Sequence, residues 1–112
     1  LLGSVRENAP AWTALAATLR ARGDLDEAES AARRVIEEDE EDAHGWRVLA
    51  LVAGDRADVA RAAEAWERSA RLGLDPPGAL AGLAGLRKDC LARGDTVGAA
   101  DVESRIARLR RG

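Results

Sequence analysis

Apolar residues recur along this chain at intervals of three and four, as in Trp12, Leu15, Ala16 and Leu19, or Trp46, Leu49, Ala50 and Ala53. That spacing keeps one face of a helix apolar, whereas a half-buried strand would alternate every second residue. Breaks in the pattern coincide with turn residues: Gly23-Asp24, Gly54-Asp55, the stretch Leu72-Gly73-Leu74-Asp75-Pro76-Pro77-Gly78, and Gly94-Asp95. Pro10 suits the first turn of a helix, and Asp24 suits the cap of the next. The pattern predicts six helices over 9–22, 25–38, 43–53, 58–72, 78–93 and 96–110. The early arrival of Gly54-Asp55 places the turn inside the second pair at Gly54 to Asp58.

The helices pair into a repeat. Trp12 and Trp46 lie 34 residues apart, each followed three and four positions later by Leu and Ala, and sixteen positions later by Ala28 and Ala62. Leu83 continues the series, with Leu86 and Ala99 at matching offsets, after three additional residues in the Gly- and Pro-bearing loop. A period of this length marks a stack of helical hairpins. The reading is one domain over 1–112, with units at about 9–42, 43–76 and 80–112, and with residues 1–8 as the end of a helix from an earlier unit.

These residues resemble the tetratricopeptide repeat (TPR) family, whose pattern runs Trp-x2-Leu-Gly-x2-Tyr, then Ala-x3-Phe, then Pro. The first unit matches with Trp12, Leu15, Ala16, Leu19, Ala28 and Ala32. The second matches with Trp46, Leu49, Ala50, Ala53, Ala62 and Trp66, and the third with Leu83, Leu86, Arg87, Cys90, Ala99 and Glu103. Arg87 stands where the family has a small residue and Glu103 where it has an aromatic, as expected of a terminal capping unit. The resemblance implies an all-α fold, a right-handed solenoid of antiparallel helix pairs. Its first helices would line a concave groove that holds a peptide or helix of a partner. On that frame the groove residues are Thr13, Ala17 and Arg20 from the first unit, His44, Arg47, Val48 and Leu51 from the second, and Lys88 from the third. Thr13, Ala17 and Val48 replace the Lys and Asn with which chaperone-binding TPR domains clamp a terminal carboxylate, so that activity is not implied.

Composition sharpens this picture. Ala, Leu, Glu and Arg dominate, there is no Phe, Tyr or Met, and three Trp supply all the aromatic bulk, so helices must approach closely on small side chains. A net charge of −3 gives no general attraction to nucleic acid or to an anionic membrane, and no apolar stretch is long enough to span a bilayer. These features favour a soluble, cytoplasmic protein; Arg in place of Lys everywhere except Lys88 is in keeping with a GC-rich bacterial genome. A chain that opens at Leu1 and lacks Met reads as a piece of a longer protein.

Candidate chemistry is sparse. The acidic run from Glu37 to Asp42 lacks the alternation and the Gly of a calcium loop, so it reads as a solvated inter-repeat turn with Asp42 capping the third helix. Glu40 takes the place of the family's Pro, which removes a rigid stop and would let the second helix fray or run on. Arg33 and Arg34 are placed to offset Glu37 and Glu38 four residues on. His44, the single histidine, has no metal-ligand companions, and Cys90, the single cysteine, falls on the apolar face and reads as an inert core thiol. Arg105, Arg108, Arg110 and Arg111 crowd the last helix without interleaved aromatics, which suits a helix C-terminus better than a nucleic-acid surface. No metal, cofactor or catalytic set is implied. The reading is a non-catalytic interaction scaffold for a partner with apolar and acidic character. A structural or oligomerisation module that packs on another copy, or on other domains of a larger protein, is the alternative.

Overall fold

The computed structural model describes residues 9–111. Within them the chain forms six helices: α1 (Ala9–Ala21), α2 (Leu25–Glu38), α3 (Ala43–Asp55), α4 (Val59–Arg71), α5 (Pro76–Ala92) and α6 (Thr96–Arg111). The expected helix from an earlier unit, at residues 1–8, lies outside the described residues. Helices pair as α1–α2, α3–α4 and α5–α6, and the pairs stack into a slab of 44 × 31 × 18 Å.

Small residues set the spacing. Ala16, Ala28, Ala50 and Ala62 are each fully buried, so paired helices meet almost backbone to backbone. Gly45 brings α3 so close to α2 that a Cβ there would lie 3.0 Å from Ile36 Cγ1 and 3.1 Å from Val35 Cγ1. Gly82 does the same at the next junction, where a Cβ would meet the Trp66 indole at 2.4 Å. Both glycines directly precede the residue that opens the repeat pattern in their unit, Trp46 and Leu83. Cys90 is fully buried, as its apolar-face position predicts.

Within each pair the turn obeys one rule, including the pair whose turn the sequence seemed to displace. Gly23 (φ 85), Ala57 (φ 59) and Gly94 (φ 76) each adopt a left-handed conformation, and each is followed by Asp. The Asp N–H then reaches back to a carbonyl five residues earlier: Asp24 to Leu19 (2.9 Å), Asp58 to Ala53 (2.9 Å) and Asp95 to Cys90 (2.8 Å). This closes each first helix with a Schellman-type bond. Gly54 is therefore not the turn residue; it lies inside α3, which runs two residues past the expected end. Ala57 holds the frame position that Gly occupies in the other two units, at the steric cost a Cβ carries there.

Two capping expectations need amending. Asp24 is the N-cap residue of α2, but its carboxylate makes no capping hydrogen bond and faces Arg22 at 3.6 Å. At the acidic run, α2 stops at Glu38 without the proline: Asp39 turns extended and Asp42 N–H bonds to the Asp39 carbonyl (3.1 Å). Asp42 caps α3 as expected, its carboxylate accepting from His44 N–H at 3.0 Å. At the second junction α5 begins two residues before the expected start. Asp75 caps it by accepting from Gly78 N–H (3.1 Å), and Pro76 and Pro77 occupy first-turn positions where no N–H is needed.

Junctions between pairs differ. At the first, α3 packs against both α2 and α1; at the second, α5 packs mainly against α4, and α6 packs against α4 as well. A buried acid on α4 ties α6 to it. Glu67 on α4 is 7% exposed, and Arg71 (2.9 Å), Arg105 (2.8 Å) and Arg108 (3.0 Å) converge on it. Hydrogen bonds from these guanidiniums, Arg108 foremost, outweigh the penalty of burial and hold the Glu67 carboxyl down at about 2. Two of the arginines that crowd the last helix are thus bound to an interior carboxylate.

Candidate functional site

The side-by-side packing of α1 and α3 makes a concave surface, and the sequence frame places several of its expected residues there. Thr13 and Ala17 on α1 and His44 on α3 line one cleft, with Pro10, Ala14 and Asp42 completing its wall. His44 is exposed and its Nδ1 lies 3.4 Å from the Asp42 carboxylate, so the acid both caps α3 and orients the imidazole. Arg47 and Leu51 continue the His44 stripe at spacings of three and four, hence along the same face. Arg47 is exposed and has no ion-pair partner among the described residues. Leu51 is half-buried and packs partly against the core formed by α3, α4 and α5.

Other expected residues behave differently. Val48 is 5% exposed and belongs to the core between α1, α2 and α3, because the α1 packing that builds the concave wall also covers it. It supports the surface from below. Arg20 spans from α1 to α3, its Nε and Nη2 donating to Asp55 at 2.6 and 3.1 Å. Its charge is met within the protein, and it acts as a brace across the floor. Asp55 went unnoticed in the sequence, although it continues the stripe four residues after Leu51. Lys88 is exposed on α5 and is not among the residues that line the α1–α3 cleft.

Charges elsewhere are arranged in ways that linear spacing does not reveal. Arg33 turns back to Glu29 (3.3 Å), the favoured Glu-before-Arg order on a helix, and does not serve Glu37. Arg34 lies over the Trp12 ring at 5.3 Å and Arg68 over the Trp46 ring at 4.9 Å. Both contacts repeat with the 34-residue period. Trp46 Nε1–H also donates to the Glu40 carbonyl at 2.8 Å, which anchors the acidic turn to α3. Arg87 and Glu103, the two departures of the third unit from the family pattern, pair with each other at 3.1 Å.

Among the described residues no group of His, Cys, Asp and Glu is placed to hold a metal ion, and no helix is long and apolar enough to cross a membrane. The cleft is walled by small apolar residues, one hydroxyl, one imidazole and the Asp42 carboxylate.

Six helices in stacked antiparallel pairs, with Ala-mediated contacts and a concave face built from first helices, define the class of helical-hairpin repeat proteins. The family model for the tetratricopeptide repeat matches residues 9–52, which span α1, α2 and most of α3. That match, over less than half of the chain, and the six-helix architecture together support a TPR-type repeat protein. No curated protein matches it. Repeats of this type are protein–protein interaction modules and are typically non-catalytic.

Proposed function

We propose that the chain is a non-catalytic scaffold that holds a peptide or helix of a partner protein against the α1–α3 concave surface. The observation that carries this reading is the convergence of Thr13, Ala17 and His44, from two different helices, on one cleft beside the exposed, unpaired Arg47. Small apolar walls suit an apolar anchor side chain, and Arg47 favours a segment with a carboxylate nearby. Arg20, neutralised by Asp55, contributes rigidity to the cleft and little to partner charge.

The test uses exposed positions, so that binding and folding separate. A partner recovered by affinity capture from the source cell is expected to bind Ala17→Asp and Arg47→Glu at least tenfold more weakly than the parent, with thermal melting unchanged. Equal affinity for both variants overturns the assignment. Leu51→Asp is less informative, because the half-buried Leu51 would cost stability as well.

A further inference from the structure

We infer that the cleft inside the second junction, between the ends of α4 and α6 and the start of α5, is a binding site for a small organic monocarboxylate with an apolar body. Arg71 of α4 and Arg108 of α6 form its polar wall, and Ala70, Pro76, Leu80 and Leu109 form the rest. The space is about 360 Å³, within the range of small-ligand sites. It lies between two neighbouring units and shares no residue with the α1–α3 cleft.

More guanidinium surrounds Glu67 than one carboxylate can use. Five N–H donors fall on its two oxygens at 2.8–3.3 Å: Arg71 Nε, Arg71 Nη2 and Arg108 Nε on Oε2, Arg105 Nη1 and Arg108 Nη2 on Oε1. A carboxylate offers about four lone-pair sites. Arg105 is also met by Asp101 at 3.2 Å, so the cluster holds three cations against two anions and keeps a surplus of one positive charge. Arg71 and Arg108 carry that surplus, since their side chains remain 56% and 43% exposed. Both turn the edge of Nε and Nη2 to Glu67, and neither Nη1 has a partner among the described residues. A guanidinium is a planar fork with donors on a second edge, so each of these arginines can hold one anion on either side. Glu67 is not among the lining residues, so the cleft meets the two guanidiniums and not the carboxylate that positions them.

The remaining wall narrows what fits. Pro76 and Pro77 carry no N–H, and the N–H groups of Gly78 and Ala79 are taken by the Asp75 carboxylate and carbonyl, so the start of α5 adds apolar surface and no donor. One added carboxylate brings the arginine cluster to neutrality, whereas a phosphate dianion overshoots it. An apolar body on that carboxylate covers Leu80 and Leu109, which are half-buried at the edge of the core. Because Glu67 already fixes two long, flexible side chains, the ligand meets an ordered pair of donors and less entropy is lost on binding.

The probe is isovalerate, titrated into the isotope-labelled full chain at neutral pH and constant ionic strength and followed by nuclear magnetic resonance. The Nε–H resonances of Arg71 and Arg108 and the methyl resonances of Leu80 and Leu109 are expected to move together, with Arg20 and Arg47 unchanged. Isovaleramide, which lacks the charge, and acetate, which lacks the body, should each bind at least tenfold more weakly. Arg71→Gln should lose a similar factor in isovalerate affinity and stay folded, because Arg105 and Arg108 still hold Glu67. No movement of the Arg71, Arg108, Leu80 and Leu109 resonances at tens of millimolar isovalerate overturns the inference, as does equal binding of isovaleramide or of acetate. Equal movement of Arg20 and Arg47 would mark general ion pairing at surface guanidiniums and overturn the site. Tighter binding of inorganic phosphate would assign the cleft to phosphate groups, and tighter binding of a blocked glutamyl-leucine peptide would assign it to an acidic segment of a partner. Either result overturns the small-acid occupant.

Discussion

Adding the same methyl group at three glycines should move stability in different directions, and the structure fixes the order. Gly85 lies on an open part of α5, where a new Cβ would meet nothing within 4 Å. Gly85→Ala therefore gains only helix propensity, about 1 kcal/mol. Gly82, three residues earlier on the same helix, sits under the Trp66 indole, and its Cβ would lie 2.4, 2.7 and 2.8 Å from three ring atoms. Ordinary carbon contacts are about 3.5–4.0 Å, so the ring must retreat by roughly 1 Å. Trp66 is 8% exposed and surrounded by the core of α4, α5 and α6, so it has little room to do so. Overpacking of this kind costs about 1–3 kcal/mol, which cancels or exceeds the propensity gain. Gly45→Ala falls between, because its contacts of 3.0–3.3 Å are to the flexible arm of Ile36 and to Val35. Urea unfolding of the three variants followed by circular dichroism should give midpoints in the order Gly85→Ala, Gly45→Ala, Gly82→Ala, the first above the parent and the last at or below it. A Gly82→Ala protein as stable as Gly85→Ala would refute the close approach of α5 to Trp66, and with it the account of how the second junction is built.

Two further outcomes concern the turns and the buried acid. Ala57→Gly removes a Cβ from a left-handed residue (φ 59) and should raise stability by on the order of 1 kcal/mol, whereas Gly23→Ala and Gly94→Ala should lower it; thermal melting of the three reads both signs. Glu67, with its folded-state pKa depressed from 4.5 to about 2, contributes stability that is fully present above the unfolded value and lost as pH falls toward 2. Because Arg71 and Arg108 remain half in solvent, the contribution is taken as about 2 kcal/mol, below the full equivalent of the shift. Glu67→Gln should cost at least that at pH 7 and flatten the stability profile between pH 4.5 and 2. A variant profile that falls as steeply as the parent's would exclude Glu67 as the source.

The helices were legible because their signals are local: an apolar face with a helical period, and a break every time Gly, Asp or Pro arrives. The turn expected across Gly54 to Asp58 lies within those bounds, at Arg56 to Asp58, and its exact place shows what the frame adds to reading residues singly. Gly54 is where a turn residue usually stands, but the repeat period puts the turn at Ala57, and the hydrogen bonds follow the period. The concave surface was partly legible for the same reason. Thr13, Ala17 and His44 meet because the frame puts them on facing first helices. The fate of Arg20 was not legible, since Asp55 lies 35 residues away and no local pattern links them. Val48 was placed on the surface by the family frame, which fixes a position on the helix but not what lies beyond it.

The third unit shows how departures from a repeat can compensate one another. It has Leu83 where the others have Trp, so the arginine at the equivalent of Arg34 and Arg68, which is Arg105 after the three-residue insertion, has no ring to stack on. Arg105 turns instead to Glu67 and Asp101, at 2.8 and 3.2 Å. Arg87, too large for the small-residue position, is matched by Glu103 at the aromatic position. Each change alone would leave a charge without a partner or a gap without a filling; together they give a terminal pair held to α4 by ion pairs and to its own mate by another. That bracing ties α6 to α4, while Lys88 on α5 stands outside the residues that line the α1–α3 cleft. The departures of the third unit are therefore not independent losses, since each charge introduced at one position is met by an opposite charge at another.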